Sequence, residues 1–159
     1  MNIKIRRANE KDIGILSKLF HQYDLFEHSL DSRIEVSSEK KYRKEILQKF
    51  KDESDFFIVA ECNSKVVGFI SYTTWKQGKI IGGAIDDMFI MDGYRRSGIG
   101  KRLARYALNE LKKQKCRFVK SGVRPKNINA HKFWRKQGFK IHYHSQPGYS
   151  MQKEKWPKF

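Results

Sequence analysis

A cation-rich segment with two glycines stands where a helical pattern begins, in the stretch YRRSGIGKRLA at residues 94–104. The first N–H groups of a helix have no intrahelical partner, and the helix dipole adds positive potential at that end. Glycine lets a ligand approach the backbone closely, and Gly98 and Gly100 lie at this point. The segment therefore predicts a binding site for a phosphate or pyrophosphate group, with a solvated basic helix as the alternative.

The elements around this segment must bring it to the edge of a sheet. Alternating and apolar runs predict strands at NIKIRRA, DFFIVAEC, KVVGFISYTTW, KIIGGAIDDMFIM, CRFVKSGV, FKIHYHS and GYSMQKEKW. Helical spacing predicts four helices: one capped by Asn9, one through Tyr42 and Phe50, one through Leu103 and Leu111, and one over NAHKFWRKQ that ends at Gly138.

These elements predict a single α/β (α+β) domain over residues 1–159, with a mixed, mostly antiparallel sheet of about seven strands and about four flanking helices. The strand–loop–helix–strand unit from Ile85 to Val123 supplies a parallel step. The glycine segment then follows the carboxyl end of a strand, where such sheets bind anionic ligands.

The composition limits the classes of protein to which the chain can belong. Its 159 residues are 39% hydrophobic and 13% aromatic, which favours a packed core over disorder. No apolar run has the length of a membrane span, and the polar start MNIKIRRANEKD does not resemble a secretory signal. Cys62 and Cys116 are isolated, so we expect no metal cofactor, no disulfide framework and a cytoplasmic location.

Two spaced motifs connect these elements to a known family. The segment lacks both the Gly-Lys-Ser/Thr of a nucleotide-triphosphate loop and GxGxxG, but residues 95–100 match Arg/Gln-x-x-Gly-x-Gly/Ala. A second stretch, NINAHKFWRKQGF, matches Asn-x-x-Ala-x-x-Phe-Tyr-x-x-x-Gly-Phe through Asn127, Ala130, Phe133, Gly138 and Phe139. Together with IDDMFIMDGYRRSGIG and the element order from residue 3 to about residue 155, the chain resembles the GCN5-related N-acetyltransferase (GNAT) family.

The resemblance implies acetyl-coenzyme A as cosubstrate. The backbone of Met88, Phe89 and Ile90 would bind the pantetheine arm and polarise the thioester carbonyl, because strand N–H groups without a partner stabilise a developing oxyanion. Backbone N–H groups would hold the pyrophosphate along Arg96, Ser97, Gly98, Ile99, Gly100 and Lys101. The other cofactor contacts would come from Arg95, Asn127, Ala130 and Trp134.

Acetylation of an amine needs a group that takes the proton of an ammonium, whose pKa is near ~10.4. Asp86 and Asp87 lie in the strand before the cofactor segment. Similar family members carry a glutamate at the position of Asp86, and that glutamate acts on the amine through water. Asp87 would instead bind the ammonium of the acceptor. Because neighbouring strand side chains point to opposite faces, we expect only one of the two in the cleft.

The leaving thiolate also benefits from a proton donor. The tyrosine of the family signature falls on Trp134, whose indole N–H is not a usable acid, and the indole can instead pack against the thioester. Water, or a tyrosine such as Tyr143 or Tyr149, would then protonate the thiolate.

The acceptor prediction rests on HQYDLFEHSLD, in which Tyr23, Asp24 and Glu27 would bind the acceptor, and we expect Asp24, Glu27 and Asp31 to follow the first helix. The family builds acceptor specificity there, and the Tyr23-Asp24 pair with DDMFIMDGYR resembles its diamine and polyamine acetyltransferase branch. An acidic cluster in a protein of net charge +17 would admit a cation that the overall field repels. A solvated helix end of mixed charge is the alternative.

Three function classes follow. The leading expectation is acetyl transfer from acetyl-coenzyme A to a small cationic amine, with coenzyme A and that amine as partners. Acetylation of a protein N-terminus or lysine is the alternative enzyme. A nucleic-acid-binding domain is suggested by the net charge alone and is disfavoured, since no recognised nucleic-acid motif is present. We expect no membrane partner, and both a monomer and a homodimer are compatible with the sequence.

Overall fold

The computed structural model describes residues 2–52, 56–145 and 148–153, those from 142 onward by their backbone alone. Strands occupy this part of the chain at β1 (Ile3–Arg7), β2 (Phe56–Cys62), β3 (Lys65–Gln77), β4 (Ile80–Ile90), β5 (Phe118–Val123), β6 (Lys140–Ser145) and β7 (Gly148–Lys153). The α-helices of the described residues are α1 (Ile13–Leu30), α2 (Glu39–Asp52), α3 (Ile99–Lys113) and α4 (Ile128–Lys136).

The strands form one mixed sheet in the order β1-β2-β3-β4-β5-β7-β6. Neighbours are antiparallel except β4 and β5, which are parallel because α3 carries the chain back across the sheet between them. The predicted fold class, with its single parallel step, is confirmed.

Each face of the sheet has its own hydrophobic core. On one face, α3 buries its apolar side, including Leu103 and Leu111, against strand residues such as Ile70 and Ile85. On the other face, α1 and α2 bury a second cluster, with Phe20 stacked closely on Phe69 at a ring-centroid distance of 4.2 Å. The sheet is therefore sandwiched, but α1 and α2 contact only part of their face.

Helix α1 is longer than the sequence interpretation allowed. Asn9 and Asp12 form a capping box around a short 3-10 turn, as the predicted Asn9 cap requires, and the helix then runs without interruption to Leu30. Asp24 and Glu27 therefore lie within the helix, not after it, which corrects the prediction for these two residues, while Asp31 follows the helix as predicted. The reason is that apolar spacing continues past residue 20 and no glycine or proline occurs between residues 20 and 30.

Candidate active site

A cavity of about 680 Å³ opens where β4 and β5 separate. Their parallel pairing runs from Gly82↔Phe118 to Ile85↔Ser121. Beyond those pairs, the cavity is walled by the second half of β4, the end of β5, and residues of α1 and α4. One edge of β4 therefore faces the cavity where a neighbouring strand would otherwise lie.

The backbone of β4 alternates between β3 and this cavity. The N–H of Asp87 donates to Ser71 Oγ at 3.1 Å, and the N–H of Met91 donates to the Val67 carbonyl at 3.0 Å, both toward β3. Because N–H directions alternate along a strand, the N–H groups of residues 88 and 90 point to the cavity side. Met88, Phe89 and Ile90 all line the cavity, where the resemblance placed them.

The predicted anion site lies at the start of α3. The backbone is left-handed at Arg96, with φ +60°, and again at Gly98, with φ +84°. Ser97 fixes the turn between them by donating its hydroxyl hydrogen to a backbone carbonyl of the loop. A helical hydrogen bond runs from the Arg102 N–H to the Gly98 carbonyl, so the N–H groups of residues 99–101 precede the hydrogen-bonded turns and face outward along the helix axis.

The two glycines of this motif have different surroundings. A Cβ at Gly98 would meet no atom within 4 Å, so its positive φ is what requires glycine and the space beside it is open. A Cβ at Gly100 would lie 3.3 Å from Ile90 Cδ1 and 3.4 Å from Phe133 Cε2. Gly100 therefore lets α3 pack closely against β4 and α4, a role that the sequence interpretation did not foresee.

Arg95 joins the loop to the rest of the site. Its Nε donates to the Ile90 carbonyl at 2.8 Å, and its guanidinium pairs with Asp92. The same guanidinium lies over the Phe26 ring at 4.8 Å and the Phe89 ring at 5.3 Å. These contacts link α1, β4 and the loop, so Arg95 positions the loop as well as adding positive charge to the cavity wall.

Asp86 and Asp87 both line the cavity, and the expectation that only one of them would enter it is wrong. A β-bulge is the cause: Ser71 pairs with Asp87, while the next pair of the ladder is Tyr72↔Ile85. Asp86 is the extra residue, so the alternation of side chains breaks between the two carboxylates.

Two hydroxyls on β3 hold these carboxylates, and sequence reasoning missed both. Ser71 Oγ donates to Asp87 Oδ2 at 3.1 Å while it accepts the Asp87 N–H. Thr73 Oγ1 donates to Asp86 Oδ1 at 3.4 Å. Ser71 is buried within the apolar run VVGFISY, and a buried hydroxyl needs partners, so this polar residue was the available signal.

Glu27 connects α1 to the segment before α4. Its Oε2 accepts from Arg124 Nε at 3.2 Å and its Oε1 accepts from Asn127 Nδ2 at 3.4 Å. Only 5% of Glu27 is exposed, and this burial raises the pKa of its carboxyl group, while the Arg124 charge opposes the rise. Asn127 also caps α4 by accepting the Ala130 N–H at 3.0 Å, and a cap is geometrically compatible with the predicted contact to the cofactor arm. Arg124 was not predicted, since nothing local marks it.

Tyr23 and Asp24 point to different places. Tyr23 lines the cavity, and burial together with the charge of Asp87 raises the pKa of its hydroxyl well above the usual value, so it stays protonated at neutral pH. The buried Asp24 accepts the Ser37 N–H at 2.8 Å and bonds the Tyr42 hydroxyl, and it is not among the described residues that line the cavity. Of the three residues predicted to bind the acceptor, Tyr23 and Glu27 therefore line the cavity and Asp24 does not.

Trp134 is buried in the cavity wall, where it packs against Phe133 and Phe139 at ring-centroid distances of 5.0 and 4.9 Å. This placement suits packing against a bound group. The side chains of Tyr143 and Tyr149, the alternatives considered as proton donors, lie outside the described residues.

Comparison with known proteins identifies the family of this chain. A model of the acetyltransferase (GNAT) family matches residues 22–139, which include the second half of α1, the whole β4–α3 segment and α4. The chain belongs to the GNAT acetyltransferase family. The prediction that it is an acetyltransferase enzyme is therefore confirmed. No curated protein sequence gives a significant match.

Solved structures similar to this GNAT acetyltransferase share its whole fold. PaiA N-acetyltransferase from Thermoplasma acidophilum, solved in complex with coenzyme A, is 21% identical with a TM-score of 0.82, covering 98% of this chain and 100% of its own. PH1933 from Pyrococcus horikoshii OT3 is 26% identical with a TM-score of 0.77 and the same coverages. A GNAT acetyltransferase from Streptococcus pneumoniae is 20% identical with a TM-score of 0.73, covering 96% and 99%.

Among the described residues, no three His, Cys, Asp or Glu side chains form a group that could hold a metal ion. Within the same residues, no helix combines the length and apolar character needed to cross a bilayer.

Proposed function

We propose that this protein transfers the acetyl group of acetyl-coenzyme A to a primary amine. The observation that carries the proposal is the separation of β4 from β5, which turns a strand edge toward a cavity. The predicted anion site at the start of α3 lies at one end of that strand edge, and the carboxylates of Asp86 and Asp87 lie at the other end. A long cofactor with phosphates at one end and a reactive thioester at the other matches this order.

The cofactor would lie along β4. The pyrophosphate would accept from the N–H groups of the Arg96–Lys101 loop, and the pantetheine arm would pair with the edge of Met88–Ile90 as a further strand would. Asn127, Ala130 and Trp134 would contact the arm from α4, as all three line the same cavity. The coenzyme A complex of the Thermoplasma relative, which shares this fold, supports this placement.

The reaction then needs a base, a group that orients the amine, an oxyanion donor and a proton donor. Asp86, through water, would take the proton of the ammonium, and Asp87 would orient the amine. The amine nitrogen attacks the thioester carbon and forms the N–C bond, while the carbonyl oxygen becomes negative beside the N–H of Met88. The nitrogen then gives its second proton to water, and the C–S bond breaks as the carbonyl re-forms. The departing thiolate takes a proton from water, because the raised pKa of the Tyr23 hydroxyl makes it a weaker acid than the thiol.

For the acceptor, we propose an amine with a cationic head, as the sequence predicted for small diamines and polyamines. Asp86 and Asp87 support a cationic head group. Acetylation of a protein N-terminus or lysine is the alternative, and Lys120 and Arg124 favour it because both cations also line the cavity and would repel a second positive charge of the acceptor.

A panel of acceptors tests the proposal. The protein is incubated with acetyl-coenzyme A and, in turn, a monoamine, a diamine, a polyamine and short peptides, and free coenzyme A is measured. We expect release with at least one amine and a rise in melting temperature with acetyl-coenzyme A alone. Absence of both at millimolar cofactor would contradict the proposal.

A further inference from the structure

A shallow trough continues from the cavity along the face of the sheet on which α1 packs. Paired residues of neighbouring strands share a face, and here the register gives two rows across three strands. The trough is formed by Trp75 and Thr73 on β3, Gly82 and Ala84 on β4, and Phe118 and Lys120 on β5. At Ala84 the central strand contributes only a methyl group, so the floor there lies below Thr73 and Lys120, whereas the Trp75 ring takes the space above Gly82.

An aromatic pair ends the trough. A Cβ at Gly82 would lie 2.6 Å from two ring atoms of Trp75, so the indole rests directly on the glycine. Phe118 meets the indole edge-on at a centroid distance of 5.9 Å. Glycine at this position is therefore what allows a flat aromatic surface, with Trp75 still 38% exposed, to stand at the far end.

The other end of the trough is the pair of carboxylates. Thr73 forms the wall beside Asp86, to which it donates its hydroxyl hydrogen. Asp86 follows Gly82 by four residues, and at about 3.3 Å per residue the trough is about 13 Å long. That length corresponds to about four residues of extended peptide and exceeds what a short diamine would fill.

The described helices leave the trough open. Helix α1 packs over the opposite half of this face, against Phe69 and Phe89. Trp75 is exposed, and Ala84, Phe118 and Lys120 are half-buried. The surface is therefore accessible to a ligand whose reacting end enters the cavity.

The charges along the trough favour a peptide over a polyamine as its ligand. The Lys120 ammonium lies 5.4 Å from the centre of the Phe118 ring, beside the path from the cavity to Trp75. A polyamine in the trough would bring further ammonium groups next to it, whereas the carbonyl oxygens of a peptide would accept its hydrogen bonds. The net charge of +17 likewise favours a partner with acidic side chains.

We infer that the trough binds an acidic peptide whose N-terminal amine is the acceptor, with its backbone over Ala84 and an aromatic side chain about four residues on against Trp75. This inference rests on the proposed acetyl transfer and names its substrate class. The floor begins directly at Asp86, so the extended backbone behind an N-terminal amine would lie along it from the first residue.

The test compares two acidic peptides with free N-termini, one with phenylalanine and one with glycine at the fifth position, and propylamine as a small acceptor. For the wild type, we expect the KM of the phenylalanine peptide to be about tenfold lower than that of the glycine peptide. Trp75→Ala should remove this difference while the kinetics with propylamine and the KM for acetyl-coenzyme A stay unchanged. Leu47→Ala on α2, where Leu47 is also 38% exposed, is the matched control and should change nothing.

A second variant acts on the floor. Ala84→Val suits a strand and fills the trough, so it should raise the KM of both peptides and leave propylamine unaffected. If Trp75→Ala changes all acceptors equally or none, the trough is not an acceptor subsite. If Trp75→Ala instead changes only the sedimentation coefficient, a second copy of the chain covers the trough and the inference fails.

Binding of the peptides is also measured directly, by the fluorescence anisotropy of a C-terminal label. A phenylalanine peptide that binds in a Trp75-dependent way but is never acetylated would support the trough and contradict the proposed acetyl transfer. A peptide that is acetylated without any dependence on Trp75 or Ala84 would contradict the trough alone.

Discussion

Asp86 lies in the cavity beside Asp87 because one extra residue in β4 breaks the alternation of the strand. The two carboxylates have different supports: Asp87 is held through its side chain and its N–H by a buried serine, whereas Asp86 is exposed and accepts from Thr73. An exposed carboxylate beside water suits proton removal, and a fixed one suits orientation of an ammonium.

We therefore expect Asp86→Asn to lower kcat by about 10²-fold or more, because an amide cannot take the proton. The acidic limb of the pH–rate profile should change shape as well, since the titrating group is gone. Asp24→Asn is the control: its partner is the Ser37 N–H, to which an amide oxygen can still bond, so kcat should stay near the wild-type value. Steady-state kinetics of both variants over a range of pH measures these effects. If the kcat values of the two variants are equal, Asp86 takes no part in the reaction.

Glu27 gives a prediction for stability. Burial raises its pKa in the folded protein above the usual value, so folding favours the protonated carboxyl. Its contribution is fully present below the pKa of the unfolded chain and is lost as the pH rises through the raised pKa. The free energy of unfolding of the wild type should therefore fall relative to that of Glu27→Gln across this window. Urea unfolding at several pH values measures the difference, and a constant difference would show that Arg124 cancels the effect of burial.

At the scale of elements, the loop between β4 and α3 depends on two left-handed residues, Arg96 and Gly98, ahead of the first turn of the helix. The open space at Gly98 is where a phosphate would approach the N–H groups, whereas Gly100 is enclosed by Ile90 and Phe133. The packing of Gly100 means that a large residue there would disturb α3 itself, so Gly98 is the more specific position to test.

Gly98→Val should abolish the rise in melting temperature that acetyl-coenzyme A causes in the wild type, because a side chain would occupy the phosphate site. The variant also strains a positive φ, and Gly78→Val controls for that strain. Gly78 has φ +59° in the β3–β4 hairpin, and a Cβ there would also meet no atom within 4 Å. Gly78→Val should lose stability but keep the cofactor-induced shift. Loss of the shift in both variants would point to strain as the cause.

At the scale of the whole molecule, the net charge of +17 acts differently on the cofactor and on a small cationic amine. The anionic cofactor is attracted over a long range, while the small amine is repelled until it reaches the carboxylates of the cavity. Salt screens both effects, because the Debye length falls from about 14 Å to about 4 Å between roughly 50 mM and 500 mM salt.

Raising the salt concentration over that range should therefore increase the KM for acetyl-coenzyme A severalfold and leave the KM for a cationic amine unchanged or lower. Sucrose at equal osmolality is the control and should move neither value. Steady-state kinetics with each substrate varied in turn measures both trends, and a parallel rise of the two KM values would contradict steering by net charge.

The sequence by itself determined the elements, their order and the position of the glycine loop. These depend on local rules: strand and helix periodicity, the Asn9 cap, the glycine at the end of α4, and a glycine motif that follows a strand. The family motif placed the cofactor residues on β4 and α4 for the same reason, since each motif lies within one short segment.

Only the tertiary structure decided how the acceptor side of the cavity is built. The bulge at Asp86 depends on the register of β4 against β3, and alternation along β4 alone predicted the opposite. Glu27 meets Arg124 across 97 positions of sequence, and Trp75 rests on Gly82 because a hairpin aligns them. Asp24 bonds the Ser37 N–H and does not line the cavity, although Tyr23 and Glu27 on the same helix do. Such contacts join segments distant in sequence, and no local pattern encodes which side chains will meet when the sheet and helices pack.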